Sequence, residues 1–208
     1  MAEHLYTYID PPNEKHLEKI SKLLEDDGVV VLPMGTNWAF SCSASSHKAL
    51  DKIRALKPKH IKERPFSLVC SDMAMSSSVG NIDNHLYRYL KKAWPGPFTV
   101  IVDRNRTLPK QIKDKRPVVG IRIPNEKITL EIINYFGKPL AVSSLPVEDG
   151  QAPLKMGYEI EDQFGHAVDL IVDMGEELSG EESTVIDATD DSIEVVRQGA
   201  GDQSLFGI

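Results

Sequence analysis

Seven short stretches of this chain place hydroxyls, cations and turn-forming residues where hydrophobic runs end. The first, Pro33-Met34-Gly35-Thr36-Asn37-Trp38, follows the apolar run Val29–Leu32. Gly35 suits a tight or left-handed turn that brings the Thr36 hydroxyl and nearby amides up to a ligand. The plainer expectation is an ordinary turn with Trp38 packed on the core. The second, Lys57-Pro58-Lys59-His60-Ile61-Lys62-Glu63-Arg64, clusters cations suited to phosphate oxygens, lysine as a point charge and arginine as a bidentate fork. It has no glycine-rich cradle and no Gly-Lys-Ser/Thr, so it is not a P-loop. The third, Trp94-Pro95-Gly96-Pro97-Phe98-Thr99, reads mainly as architecture, its prolines stiffening a turn into a strand.

In the fourth, Val119-Gly120-Ile121-Arg122-Ile123-Pro124, an arginine stands inside an apolar strand. A buried unpaired charge is expensive, so Arg122 needs a carboxylate, either the protein's own or a substrate's. The last three are Leu140–Pro146 with Ser143 and Ser144, Glu182–Asp187 with Ser183 and Thr184, and Val196–Gly201 with Arg197 and Gly199. Taken singly, each is also an ordinary turn or cap. Taken together, nearly all can donate to anions, and none is a proton-transfer pair.

Other chemistries leave no trace in the sequence. There is no Gly-x-Ser-x-Gly, the six histidines are scattered, and no metal-ligand spacing occurs. Cys42 and Cys70 have no second thiol near them in sequence and read as buried thiols of a reduced, cytoplasmic protein. No apolar run is long enough to cross a bilayer, and the start of the chain does not resemble a secretory signal. The net charge of −7 hides a polarity: Met156 to Val196 holds thirteen acids and no Lys or Arg, leaving the rest at +6. The densest basic stretch, Asp51 to Arg64, carries Lys52, Arg54, Lys57, Lys59, Lys62 and Arg64 and is read as an RNA or phosphate patch, or else as a solvated helix face.

The elements that must position these groups follow from periodicity and punctuation. Strands are expected at Leu5–Ile9, Val29–Leu32, Ala39–Ser43, Phe66–Cys70, Phe98–Val102, Val118–Ile123, Leu140–Ser143, Ala167–Val172, Thr184–Ala188 and Ile193–Arg197. Helices are expected from Pro11-Pro12 to about Asp27, stopped by Gly28, and over His47–Leu56, capped by Ser46. Others span Asn84–Ala93, Lys127–Phe136 ending at Gly137, and Pro153–Phe164. Strands alternating with helices, the last two close enough to pair antiparallel, predict a single α/β domain over residues 1–208 on a twisted, mixed parallel and antiparallel sheet.

In order and spacing, the seven stretches resemble the YrdC/YciO family, whose enzymes make threonylcarbamoyl-adenylate for modification of adenosine next to the tRNA anticodon. The resemblance runs from about Leu17 to Gly201, and its most specific pieces are Pro95–Thr99, Val119–Pro124, Ser183–Asp187 and Val196–Gly199. It implies the family's twisted mixed sheet with flanking helices around a concave basic cleft. It implies substrate binding by Thr36, which helps hold L-threonine, by Arg122, which faces the amino-acid carboxylate, and by Ser183. Nucleotide binding falls to Lys57, Lys59, Ser144 and Arg197. The reaction implied joins L-threonine, bicarbonate and ATP, with Mg2+ on the nucleotide, into threonylcarbamoyl-AMP and pyrophosphate, with no protein nucleophile. The other reading is a protein of translation or ribosome maturation that binds tRNA or double-stranded RNA without efficient catalysis. Where the family's enzymes carry Pro-Thr-Asp-Thr, Tyr-Gly and Ser-Ala-Asn, this chain has Pro33-Met34-Gly35-Thr36, Trp38-Ala39 and Ser144-Leu145-Pro146, and one extra residue stands between Lys57 and Pro65. These departures resemble the YciO branch more than the YrdC branch.

Overall fold

The computed structural model describes residues 1–7, 12–57, 65–106, 108, 117–147, 150–189 and 192–208. Among them ten strands alternate with six helices: β1 (Glu3–Tyr6), α1 (Glu14–Glu25), β2 (Val30–Pro33), β3 (Trp38–Ser43), α2 (His47–Leu56), β4 (Ser67–Val69), α3 (Met73–Val79), α4 (Asn84–Ala93), β5 (Phe98–Asp103), β6 (Val118–Arg122), α5 (Lys127–Phe136), β7 (Leu140–Ser144), α6 (Gly157–Phe164), β8 (Leu170–Asp173), β9 (Thr184–Asp187) and β10 (Glu194–Arg197). A 3-10 turn, Gln203–Phe206, follows. The strands form one sheet in the order β1-β8-β2-β3-β7-β4-β6-β5-β9-β10. Pairing is parallel at β1/β8, β2/β8, β4/β6 and β5/β9 and antiparallel elsewhere, β9/β10 included. The mixed α/β sheet expected from the sequence is therefore the fold.

Local chemistry explains the boundaries. Ser46 accepts from the Ala49 amide and starts α2 at His47, and Gly137, at φ +72°, closes α5. The end of α1 differs from expectation. The left-handed residue is Asp27 (φ +62°), while Gly28 donates its amide to the Leu23 carbonyl at 2.8 Å in a Schellman closure. A β-carbon at Gly28 would stand 2.6 Å from that carbonyl, so close approach, not φ, demands glycine there. Asp27 is itself tied down, its carboxylate accepting from Ser46 Oγ at 2.6 Å.

Strand alternation divides the core in two. Val29, Val31, Phe40, Leu68, Val100, Ile121, Ala141 and Ile171 face one side, where α2, α4 and α6 cover them. Val30, Leu32, Val69, Leu140, Val142, Leu170 and Val172 face the other, under α1 and α5. That second apolar face ends at Val69 on β4. Beyond it, on β6 and β5, the same face carries Gly120, Arg122 and Thr99, because their strand neighbours Val119, Ile121, Phe98 and Val100 point into the first core. A polar area thus adjoins an apolar one on a single sheet face.

One clamp joins the first strand to the rest. His4 on β1 holds Glu161 of α6 through Nδ1 (2.7 Å) and Asp173 of β8 through Nε2 (2.8 Å). Burial alone would lower the His4 pKa, but the hydrogen bonds and charges of the two carboxylates outweigh it and hold it above the ordinary value of 6.5. A base whose folded pKa is raised stabilises the fold below its unfolded pKa, and that contribution is lost as pH rises through the folded one. His4→Gln is therefore expected to cost roughly 1–2 kcal/mol at pH 6, the worth of a charge-assisted hydrogen bond, and progressively less toward pH 9. Urea titrations of both proteins across that range check it.

Candidate functional site

The turn after β2 is held from several sides. Gly35 has φ +86°, and a β-carbon there would lie 2.8 Å from the Asn125 carbonyl. Thr129 of α5 donates to the Pro33 carbonyl at 2.6 Å. The Thr36 carbonyl accepts from the Gly180 amide at 2.7 Å and from Ser179 Oγ at 3.2 Å. Trp38 packs into the core, as the plainer sequence reading expected, and its indole donates to the Lys155 carbonyl at 3.0 Å. Asn37 reaches across to Ser144 on β7, Nδ2 to Oγ 3.3 Å. Arg122 stands four strands from β2 in the sheet, yet its Nη2 donates to the Met34 carbonyl at 2.6 Å. Only a strongly curled sheet brings these two together.

With the backbone of the turn so well occupied, three side-chain atoms are left over. Thr36 Oγ1, Asn37 Oδ1 and Arg122 Nε are buried and have no hydrogen-bond partner among the described residues. Buried polar atoms are paired in the great majority of cases, so three on one turn and its neighbour form an unusual concentration. Arg122 is 6% exposed, and no described carboxylate lies within ion-pair distance of it. Of the two partners the sequence left open, a protein carboxylate is not found among those residues, and the guanidinium's described partner is the Met34 carbonyl. Burial, with the nearby charge of Arg197 adding to it, lowers the Arg122 pKa to about 10.

Arg197 reaches the same region from the far side of the sheet. A bulge between Val195 and Arg197 sets its direction. Its Nε and Nη2 donate to the Ser183 carbonyl (3.2 and 2.8 Å), and its Nη1 pairs with Glu182 at 2.8 Å. Ser183 Oγ in turn lies 2.9 Å from Thr99 Oγ1 on β5. The turn Pro95–Thr99 is chiefly structural: the Gly96 amide donates to the Ile123 carbonyl and the Thr184 amide to the Pro97 carbonyl.

Thr36, Arg122 and Ser144 thus belong to one connected set, and Ser183 and Arg197 to another within electrostatic reach of it. Lys57 is buried at the end of α2, its Nζ 4.8 Å from the ring of Phe66. Lys52 and Arg54 lie on the outer part of α2 and meet acids, Asp169 at 2.8 Å and Asp51 at 2.6 Å. Lys59, His60, Lys62 and Arg64 fall outside the described residues. Sequence reasoning gave no part to Asn37, whose only signal was its place in the turn. Cys42 and Cys70 are buried and both are pushed up to about 12 by burial, which leaves them inert as nucleophiles near neutrality. Among the described residues no group of three or more His, Cys, Asp or Glu is placed to hold a metal, and no helix is long and apolar enough to cross a membrane. A groove of about 420 Å³ between α1 and α2 shares no residue with this region, and its Lys19 and Lys52 are already held by Glu3 and Asp169.

The class the structure defines is a mixed α/β sheet, curled so that β6 meets the turn after β2, with three buried polar side-chain atoms left unpaired among the described residues. The family model for Sua5, YciO and YrdC, described as "telomere recombination", matches residues 22–199, and the chain belongs to that family. It is similar to an uncharacterised protein of Haemophilus influenzae, 31% identical with 99% of this chain and all of that one covered. It is equally similar to the uncharacterised protein YciO of Escherichia coli, 30% identical over 99% of this chain and all of the relative. The crystal structure of E. coli YciO superposes with a TM-score of 0.90 at 29% identity, covering 99% of this chain and 100% of that one. A threonylcarbamoyl-AMP synthase of Pyrococcus abyssi is 25% identical over 80% of this chain and 49% of its own length.

Proposed function

We propose that the chain is a threonylcarbamoyl-AMP synthase-like enzyme, joining L-threonine, bicarbonate and ATP and releasing pyrophosphate, with a product that serves adenosine modification in tRNA. The observation that carries this reading is the chemical complement of the three unpaired atoms. Arg122 Nε can only donate, Asn37 Oδ1 can only accept, and Thr36 Oγ1 can do both. A bare anion would satisfy Arg122 and leave Asn37 unmet. A small molecule with a carboxylate and a donor close together, as in a hydroxy amino acid, satisfies all three.

Kinship with threonylcarbamoyl-AMP synthases supports the same choice. In this reading the threonine amine adds to bicarbonate-derived carbon to give a carbamate, with loss of water. A carbamate oxygen then attacks the α-phosphorus of ATP, forming the new O–P bond as the bond to the β-phosphate breaks and pyrophosphate leaves. Such chemistry needs fixed donors where charge develops, not a nucleophile. Arg122, Thr36 and Ser183 would serve the amino-acid end, and Arg197, Lys57, Lys59 and Ser144 the nucleotide, with Mg2+ entering on its phosphates. The concave basic cleft expected from the sequence would be made of these cations. Purified protein given the three substrates and Mg2+ is expected to release pyrophosphate only when threonine is present. Release that ignores threonine, or none at high enzyme concentration, would overturn the reading.

A further inference from the structure

Four residues of neighbouring strands form one row across the polar sheet face: Arg122 on β6, Thr99 on β5, Val185 on β9 and Arg197 on β10. Val185 pairs with both Thr99 and Arg197, and Thr99 meets Arg122 one step beyond the Val100–Ile121 pair. Val185 and Ile101, two residues along β5, are half-buried on this face, so it stays open beside a Thr99 that is 8% exposed. The Thr99 hydroxyl lies 2.9 Å from that of Ser183, which is also buried and accepts from Arg197 Nη2 at 3.3 Å. Neither hydroxyl has another partner among the described residues. The hydrogens then do not balance. Each hydroxyl carries one, the pair shares a single bond, and Arg197 can only donate. One hydroxyl hydrogen is left without an acceptor whichever way the pair is turned. A buried donor of this kind is costly until an acceptor comes to it.

Donation by Arg197 makes the Ser183 hydroxyl the better donor, which sends its hydrogen to Thr99 and leaves the surplus on Thr99 Oγ1. The surroundings favour an anionic acceptor. Arg122 Nε is buried and unpaired among the described residues, and the positive charge of Arg197 acts on the same guanidinium. Cross-strand neighbours have β-carbons about 5 Å apart, so the Thr99 hydroxyl and Arg122 are rooted side by side. We infer that Thr99 is a further substrate-binding residue, its hydroxyl donating to one oxygen of the amino-acid carboxylate while Arg122 Nε donates to the other. This deepens the reaction proposed above and rests on it. Ser183 then acts on the amino acid through Thr99, in a chain of hydrogen bonds that runs from Arg197 to Ser183 to Thr99 to the carboxylate.

The test is calorimetric binding of L-threonine to the parent, T99V, T99S, S183A and T99V/S183A, with threonine-dependent pyrophosphate release and melting temperature measured on each. Valine keeps the shape of threonine without the hydroxyl. T99V is expected to weaken threonine binding about 10- to 100-fold, the worth of a hydrogen bond to a charged group. Its melting temperature is expected to fall by only about 2–4 °C, for the lost bond to Ser183. T99S, which keeps the hydroxyl, is expected to bind within about 3-fold of the parent. S183A is expected to weaken binding less than T99V does, and to add less than about 2-fold when combined with it, because Ser183 reaches the ligand only through Thr99. If the parent binds threonine and T99V binds it within about 2-fold, the inference falls, whatever the turnover. Losses that multiply in the double variant would give each hydroxyl its own ligand contact and overturn the chain. A parent that binds threonine but releases no pyrophosphate sinks the reaction alone, and one that neither binds it nor turns over sinks both. Should T99V not fold, T99A takes its place.

Discussion

Replacing Arg122 with methionine is expected to abolish threonine-dependent pyrophosphate release while leaving the fold more stable than the parent. Both halves follow from the same fact. The guanidinium is 6% exposed, holds one backbone carbonyl, and has no carboxylate among the described residues. Its pKa, lowered to about 10, measures what the charged form loses on burial, about 3 kcal/mol at 1.36 kcal/mol per tenfold change in acidity. A base with a depressed folded pKa carries that penalty in full below the depressed value and sheds it only above. Methionine, of similar length and without charge, removes the penalty and gives up the hydrogen bond to Met34, a net gain of about 1–2 kcal/mol. Because the penalty is complete anywhere below pH 10, the gain should be the same at pH 5 and pH 9. Activity moves the other way: in the proposed reaction Arg122 faces the amino-acid carboxylate, and its loss is expected to lower kcat/KM about 100-fold or more. Chemical denaturation beside initial-rate kinetics checks both signs. A variant that is both destabilised and active would show that Arg122 is a structural residue.

Such a trade would mark a buried charge kept for a ligand, and it bears on how much of this protein could be read from its sequence. Helices α2 and α4 begin at their Ser46 and Asp83 caps and α5 ends at Gly137, because those signals are local. Helix α3 escaped notice: Met73-Ala-Met-Ser-Ser-Ser-Val79 is short and rich in serine, and only the Asp72 cap, accepting from the Met75 amide, identifies it. The strand-end turns were legible through residue type alone, and the structure brings the turn after β2 together with Arg122 and Ser144. What the sequence could not provide was the curl that carries Arg122 across four strands to Met34, or the reach of Asn37 across to Ser144. Nor could it assign the cations. Lys52 and Arg54 looked equal to Lys57 in the basic run, yet they meet Asp169 and Asp51 while Lys57 is buried beside Phe66. Charge density is legible in one dimension, but pairing is a property of three.

A second buried charge, Glu126, should show the opposite pH behaviour to Arg122, which makes the pair a test of the electrostatics of this face. Glu126 precedes α5, next to Asn125, whose carbonyl lies under Gly35. Burial raises its pKa from the ordinary 4.5 to about 7, and the charge of Glu176 adds to that. The Ile128 and Lys127 amides near the head of the helix oppose it, although α5 receives no close side-chain cap. An acid with a raised folded pKa leaves stability fully present below its unfolded value, and that stability is lost as pH rises through the folded one. Above pH 8 the protein therefore carries a penalty of about 3 kcal/mol that is absent near pH 4.5. Glu126→Gln, a neutral replacement of the same shape, is expected to match the parent at pH 4.5 and to exceed it by about 2–3 kcal/mol at pH 8. Glu176→Gln alone should recover a smaller part of that gain, because burial, not repulsion, is the larger cause. Urea midpoints for the parent, the two single variants and the double variant at both pH values decide it. A gain from Glu126→Gln that is equal at pH 4.5 and pH 8 would show that the carboxyl is not ionising in this range and that the substitution acts through packing. A gain confined to high pH would show that the fold keeps an ionisable acid beneath the Gly35 turn at a real cost in stability, as it keeps Arg122 on the other side of it.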